Sequence, residues 1–263
     1  MIELHHNGYS ISEIRELIDS KESLELSQQL IANVKKGRSF LESFIERADS
    51  PIYGINTGFG SLCDTEIASD DLGKLQENLV KSHACGLGYI VDPEIVKYML
   101  VLKVLGLSKG NSGVKLQTVE ALLDLYNSGV LPVVYEQGSL GASGDLAPLA
   151  HLSLPLLGLG EVHYNGEIVS AREALVVEGL SVIELSAKEG LALLNGTQFM
   201  SGYATYILGK LQKHVAHVDK VAALSLDAYD GRIEPFDDAV HAVRPHNGQR
   251  ETAAAIRSNL EGS

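Results

Sequence analysis

One stretch of this sequence carries most of the information on fold and function, Gly138-Ser139-Leu140-Gly141-Ala142-Ser143-Gly144-Asp145. Its glycines allow the backbone to bend tightly. A serine-hydrolase nucleophile elbow has the pattern G-x-S-x-G, and the stretch that starts at Gly141 has Asp145 where that pattern needs glycine. The sequence therefore gives little support to Ser143 as the nucleophile of a serine hydrolase. Such an enzyme would be recognised by labelling of Ser143 with an acylating reagent.

A different chemistry fits Ala142-Ser143-Gly144. The amide nitrogen of Gly144 can attack the carbonyl carbon of Ala142 if the loop is tightly bent, and only small side chains permit that approach. Loss of water from the ring and from Ser143 leaves an exocyclic methylene conjugated to carbonyls, which is a strong electrophile. An enzyme that needs such a group must build or borrow it, because no ordinary side chain is electrophilic. The tripeptide is common, however, and does not establish this chemistry alone.

Four motifs, taken in order, resemble the histidine and aromatic amino acid ammonia-lyases. The prosthetic-group loop of that family is similar to Gly138–His151, and three further segments agree in order and spacing: Tyr53-Gly-Ile-Asn-Thr-Gly-Phe-Gly60, Gln76-Glu-Asn-Leu-Val-Lys-Ser-His83 and Lys188-Glu-Gly-Leu-Ala-Leu-Leu-Asn-Gly-Thr197. The pattern is most similar to the histidine-specific members. The resemblance implies deamination of L-histidine to urocanate and ammonia, a reaction of histidine catabolism. It also implies a 4-methylideneimidazole-5-one (MIO) ring, formed autocatalytically from Ala142, Ser143 and Gly144.

The resemblance assigns roles to four further residues. Asp145 would assist ring closure, and Asn195 would hydrogen-bond the ring and hold its polarised carbonyl. Tyr53 would transfer a proton from a mobile loop, although an ordinary phenol is a poor base near neutrality and needs help from its surroundings. His83 would recognise the substrate or handle a proton, as suits a group that titrates near neutral pH. The pair Ser82-His83 is typical of the histidine-specific branch, but some tyrosine lyases resemble it here.

Each of these four residues also has an ordinary structural explanation. Asp145 suits the N-terminus of the predicted apolar helix Leu146–Leu157. Asn195 suits a cap or turn before a glycine, and Tyr53 and His83, taken alone, are typical packing residues.

No metal site is predicted. His214 and His217 are three apart on one predicted helix face, but the sequence indicates no third ligand. Cys63 and Cys85 cannot form a disulfide framework and are expected to be small buried hydrophobic residues rather than nucleophiles.

Helical periodicity dominates and predicts a mainly α protein. Ser10–Glu13 has the spacing of a capping box, Ser69 is placed to cap a helix through His83, and Gly37 is a weak point in an amphipathic helix. The other predicted helix signals are Asp92-Pro93 at one start, Gly129 at one end, a long helix from Thr197 to about Ala228, and a last helix near Gln249–Leu260. Strand signal is confined to Glu161–Ser170, a hairpin around Asn165-Gly166.

We expect an N-terminal, mostly helical domain at 1–196 that contains the β-hairpin and the prosthetic-group loop. The first long helices of a central helical bundle follow at 197–263. Long helices usually bury an apolar stripe against neighbours, and few neighbours remain in this chain. Family members are roughly twice as long and form homotetramers. We therefore expect partners from other subunits, or an N-terminal fragment of a lyase that is inactive or nearly so by itself.

The negative net charge of the chain argues against some classes of binding partner. The chain of 263 residues has 21 Lys and Arg against 34 Asp and Glu, a net charge of −13. This charge argues against nucleic acid and anionic membrane surfaces, which would repel the protein. No apolar run approaches the roughly 20 residues of a membrane helix, and no secretory signal is visible. We expect a cytoplasmic protein that acts on a small amino acid.

The sequence leaves two alternatives to a histidine ammonia-lyase. The first is a tyrosine ammonia-lyase or an aminomutase, and the second is a non-catalytic interaction module whose loop is not cyclised. The mass of the intact chain separates the second from a lyase, because a mature ring lacks two waters relative to the encoded chain.

Overall fold

The computed structural model describes residues 1–48, 50–58, 67–68 and 71–263, and it is mainly α, as the sequence predicts. The helices are α1 (Ile11–Asp19), α2 (Gln28–Arg47), α3 (Leu72–His83), α4 (Pro93–Ser108), α5 (Leu116–Asn127), α6 (Leu146–Ser153), α7 (Ala171–Val177), α8 (Glu189–Leu194), α9 (Gln198–Ala228), α10 (Asp238–Ala242) and α11 (Asn247–Asn259). The strands are β1 (Ile2–Leu4), β2 (Leu24–Leu26), β3 (Leu87–Ile90), β4 (Leu131–Pro132), β5 (Tyr135–Gln137), β6 (Glu161–Tyr164) and β7 (Glu167–Ser170). Short 3₁₀ helices lie at Leu154–Leu157 and Glu234–Phe236.

The chain divides into two compact units, Met1–Tyr206 and Ile207–Ser263. The predicted domain boundary between residues 196 and 197 stays a prediction. In the second unit, the later part of α9 is followed by α10 and α11, and Arg257 of α11 pairs with Asp238 of α10 at 3.0 Å. No helix in the described part of the chain is long and apolar enough to cross a membrane.

Helix α4 is the centre of the first unit. It is apolar on nearly all sides, and Val96, Met99, Leu100 and Val104 are fully buried. A helix that is apolar all round must be covered on every side, and α4 packs against α1, α2 and α5. Of the two lysines in α4, Lys97 is half-buried near the start, but Lys103 is buried with these apolar residues, which is unusual.

The predicted helix ends are confirmed where the structure describes them. The Ser10 hydroxyl accepts the Glu13 N–H at 3.2 Å, and the Glu13 carboxylate accepts the Ser10 N–H at 2.7 Å, so the capping box is complete. The Asp92 carboxylate accepts the Glu94 N–H at 2.8 Å at the start of α4. Gly129 follows α5 with a φ of +68°. The predicted cap Ser69 lies outside the described residues.

The predicted hairpin is confirmed, with β6 and β7 antiparallel and positive φ angles at both Asn165 and Gly166. The expectation that strands are confined to it is wrong. Strands β1 and β2 pair in parallel, β3 and β5 pair antiparallel, and β4 extends the hairpin beside β6. These extra strands have two to four residues, too few for alternation to be visible in the sequence.

Gly37 is not a weak point, because α2 continues through it without a break. A side chain at Gly37 would collide with the carbonyl oxygen of Gly110, just after α4, and a side chain at Gly110 would collide with the carbonyl of Asn33. Gly110 also has a φ of +85°. Both glycines therefore permit a close backbone crossing that the sequence pattern does not reveal.

Candidate active site

The loop that contains the tripeptide runs from Gly138 to Asp145 and connects β5 to α6 through a succession of bends. Gly138, Gly141 and Gly144 have φ angles of +140°, +76° and +101°, which L-residues rarely adopt. The glycine spacing of this stretch is thus explained by its backbone. Within the loop, Ala142 and Ser143 are exposed.

Gly144 packs directly against a second segment of the site. A Cβ at Gly144 would lie 2.5 Å from the carbonyl oxygen of Gly196, and the adjacent N–H of Asp145 donates to that same oxygen at 2.8 Å. Any side chain at position 144 would therefore push the two segments apart.

Asn195 is brought to the tripeptide by this packing. It follows the last residue of α8, and its side-chain oxygen Oδ1 accepts a long hydrogen bond from the Ser143 hydroxyl at 3.4 Å. The two residues are 52 positions apart in the sequence.

Asp145 is 1% exposed, and both of its oxygens are occupied. Oδ1 accepts the Ser139 hydroxyl at 2.9 Å, and Oδ2 accepts the backbone N–H of Met200 at 3.0 Å, in the first turn of α9. Asp145 occupies the N-cap position of α6, as its alternative explanation predicts, but its side chain bonds no N–H of that helix. The partial positive charge at the start of α9 favours the carboxylate there.

A cleft of about 200 Å³ opens beside the loop. It is lined by Ser82, His83, Cys85, Gly138, Leu140, Ala142, Ser143, Gly144, Leu146 and Ala147. The end of α3 and the tripeptide therefore face one space. A larger hollow of about 450 Å³ lies near Arg38 and Lys115, but none of the predicted site residues lines it, so the smaller cleft is the candidate site.

The ring of His83 is held in place through Nδ1. Its Nδ1 lies 2.8 Å from the carbonyl oxygen of Leu79 and 3.2 Å from the Ser82 hydroxyl. A carbonyl oxygen can only accept a hydrogen bond, so Nδ1 carries a hydrogen. Nε2 is then the nitrogen that can accept a proton or a substrate hydrogen bond.

His151 ends the loop motif, but sequence reasoning gave it no role. Its Nε2 accepts the backbone N–H of Gly86 at 3.0 Å, and its ring lies edge-on to Tyr135 with centroids 5.0 Å apart. Burial lowers the pKa of His151, which favours the neutral ring that this bond requires. His151 thus anchors the segment after His83.

Tyr53 and Cys85 are placed differently from His83 and Asn195. Tyr53 is 59% exposed and does not line the cleft. The expected burial of Cys85 is wrong, since Cys85 is exposed and lines the cleft, whereas Cys63 lies outside the described residues. Within residues 1–48, 50–58, 67–68 and 71–263, no three His, Cys, Asp or Glu side chains are grouped to hold a metal ion.

The loop, the cleft and the mainly α fold agree with one class of protein. The chain belongs to the aromatic amino acid lyase family, whose model matches residues 9–263. It is 43% identical over 263 residues to histidine ammonia-lyase 2 of Fusobacterium nucleatum, covering 100% of this chain and 51% of that protein. It is 45% identical over 260 residues to the histidine ammonia-lyase of Aromatoleum aromaticum, covering 99% and 49%.

Solved structures of the family have the same fold. The phenylalanine aminomutase of Pantoea agglomerans superposes with a TM-score of 0.92 at 31% identity, covering 100% of this chain and 51% of that one. The histidine ammonia-lyase of Trypanosoma cruzi superposes with a TM-score of 0.89 at 35% identity, covering 98% and 50%. The chain spans about half the length of the curated relatives it matches.

Proposed function

We propose that this chain is the electrophile-forming part of a histidine ammonia-lyase, which converts L-histidine to urocanate and ammonia. The observation that carries the proposal is the shared cleft, in which Ala142, Ser143 and Gly144 face the same space as His83. A site for deamination needs an electrophile and a group that handles protons beside it, and this cleft contains candidates for both.

The tripeptide fits the formation of an MIO ring. Closure joins the Gly144 nitrogen to the Ala142 carbonyl carbon, and that carbonyl oxygen leaves as water with the N–H hydrogens of Gly144 and Ser143. Ser143 then loses its hydroxyl and α-hydrogen as a second water. The bent loop and the absence of a side chain at Gly144 allow the approach. Once formed, the ring supplies a carbon electrophile that unmodified side chains lack.

The neighbouring residues have supporting roles in this proposal. Asn195 accepts the Ser143 hydroxyl and so orients it before water is lost. Asp145 donates its backbone N–H to Gly196 and anchors its carboxylate on α9, which keeps the loop bent. In this proposal Asp145 assists ring closure, the role that the family resemblance implies, by keeping the loop in this bent geometry.

The proton chemistry is proposed for His83 and Tyr53. A β-proton of the substrate is only weakly acidic, so its removal needs a positioned base. His83 lines the cleft and its Nδ1 is bound to Leu79, so we assign Nε2 to the substrate imidazole or to a proton. The role of Tyr53 rests on the motif Tyr53–Gly60 and stays a prediction.

Histidine is the proposed substrate because the curated relatives with 40 to 45% identity are described as histidine ammonia-lyases. The aminomutase of Pantoea agglomerans superposes well at lower identity, 31%, so an aminomutase or a tyrosine lyase is the alternative. A homotetramer in the cytoplasm completes the proposal and rests on the family resemblance.

The first test is the intact mass of the purified protein, with Ser143→Ala as the matched control. We expect the unsubstituted protein to be lighter than its encoded sequence by two waters. The control cannot form the exocyclic methylene because it has no hydroxyl to lose. A plain encoded mass for the unsubstituted protein would contradict the proposal and favour a non-catalytic module.

The second test follows formation of the conjugated product from L-histidine, L-tyrosine or L-phenylalanine by ultraviolet absorbance. It is run with and without the C-terminal half of the Fusobacterium relative, since relatives are about twice as long. We expect little turnover without that half and preference for L-histidine with it. Preference for L-tyrosine, or a β-amino acid product, would identify the alternative.

A further inference from the structure

Lys103 is a basic residue on the buried side of α4, a mostly apolar helix. It lies in α4 between buried aliphatic residues and is 2% exposed. Burial of an amine without partners costs several kcal/mol and is therefore rare in proteins. The signal in the sequence is a lysine flanked by apolar residues, beyond the polar start of α4 that contains Glu94 and Lys97, and no motif includes it.

The side chain of Lys103 donates hydrogen bonds to the carbonyl end of helix α8. Its Nζ donates to the carbonyl oxygen of Ala192 at 2.8 Å and to that of Asn195 at 3.3 Å. The last carbonyls of a helix have no intrahelical partner, and a cation is favoured there by the helix dipole. Helix α8 has only six residues, so these two bonds fix the position of its C-terminal turn relative to α4.

The contact reaches the tripeptide through Asn195. The backbone of Asn195 is bound to Lys103, its side chain accepts the Ser143 hydroxyl, and the next carbonyl, of Gly196, accepts the Asp145 N–H. The segment is thus fixed to α4 on one side and to the loop on the other. Movement of the Asn195 backbone would move its amide away from Ser143.

We propose that Lys103 is a positioning residue, which clamps the Asn195 backbone so that the Asn195 amide meets Ser143 during ring closure. The inference rests on the proposed function, because it concerns formation of the same ring. Burial lowers the pKa of Lys103 to about 7, and a neutral amine still has two N–H groups for the two carbonyls. The clamp therefore works in either charge state.

The test compares ring closure over time, by intact mass, in the unsubstituted protein and in Lys103→Met. The methionine has similar volume and no donor. We expect closure to slow at least about tenfold, since misplacement of a reacting group on the order of 1 Å can cost 100-fold. Ser108→Ala is the matched control, because it removes a buried hydrogen bond of the same helix, to Val104, without touching Asn195. It should change the rate less than twofold.

A double-substitution cycle separates positioning from general destabilisation. In an Asn195→Ala background, Lys103→Met should slow closure less than twofold further, because its effect passes through the missing amide. Lys103→Gln keeps an NH2 donor group on a shorter side chain and should recover part of the rate, and it replaces Lys103→Met if that variant does not fold by circular dichroism.

The outcomes are distinguishable. Equal slowing by Lys103→Met in both backgrounds, or no slowing in either, would overturn the inference alone. A plain encoded mass in the unsubstituted protein would overturn the proposed function together with the inference.

Discussion

The carboxylate of Asp145 accepts the backbone N–H of Met200 at 3.0 Å, although the two residues are 55 positions apart. This bond joins the last residue of the bent loop to the first turn of α9. The residue that follows Ala142-Ser143-Gly144 is thereby also bound to the start of the longest helix.

The first prediction concerns this cap. Asp145→Ala leaves the Met200 N–H without its buried acceptor, which should lower the free energy of unfolding by roughly 1–3 kcal/mol, whereas the exposed Ser139 hydroxyl can bond water instead. Urea denaturation measures the loss. Asp92→Ala removes an exposed cap at α4 and should cost about 1 kcal/mol. Equal losses in the two variants would show that burial of Asp145 adds nothing.

The second prediction compares two glycines of the loop. Gly144→Ala should prevent the loss of two waters, because the new Cβ meets the Gly196 carbonyl. The strained φ alone should lower the free energy of unfolding by roughly 1–3 kcal/mol, and the collision with Gly196 should add to this loss. Gly141→Ala introduces a Cβ with no atom within 4 Å and should cost only roughly 1–2 kcal/mol for its positive φ. Intact mass and urea denaturation distinguish them. A Gly144→Ala protein with the mature mass would be inconsistent with the packing described here.

The third prediction is a pH dependence from Lys103. Its pKa is lowered from 10.5 to about 7 in the folded protein, so between these values the unfolded chain binds more protons and stability rises with pH. Relative to Lys103→Met, the free energy of unfolding should increase from pH 7 to pH 10, by at most about 1.4 kcal/mol per pH unit. Urea denaturation across this range is the measurement, and parallel curves for the two proteins would rule out the lowered pKa.

The fourth prediction concerns His151. Burial lowers its pKa below the ordinary 6.5, so the unfolded chain takes up the proton first as the pH falls. The stability of the unsubstituted protein should therefore decrease below about pH 6.5 more steeply than that of His151→Gln, which keeps an acceptor for Gly86 without titrating. Thermal unfolding at pH 7.5 and pH 5 gives the comparison. A steeper decrease in the variant would contradict the assigned protonation.

Local signals in the sequence were enough for much of the fold. The capping box at Ser10–Glu13 and the Asn165-Gly166 turn are satisfied by neighbours within a few residues, so their patterns predict structure directly. Strands β1 and β2 are different, because each has three residues and is defined only by its partner.

The candidate site shows the same limit. The glycines of the loop are explained by their own φ angles, but the approach of Asn195 to Ser143 depends on how α8 packs. Only the family resemblance indicated that pair before the structure did. The hydrogen bond of Lys103 is made to the carbonyl of Ala192, which is distant in the sequence. The position of Cys85 at the cleft likewise depends on the distant loop beside it, and no local pattern encodes either feature.

The crossing of α2 with the turn after α4 limits how this sequence can change during evolution. Most core contacts tolerate exchange of one hydrocarbon side chain for another of similar volume. At Gly37 and Gly110 a glycine faces backbone carbonyls directly, so no compensating exchange is available to either. We expect these two positions to vary least when related sequences diverge, even though neither lines the cleft.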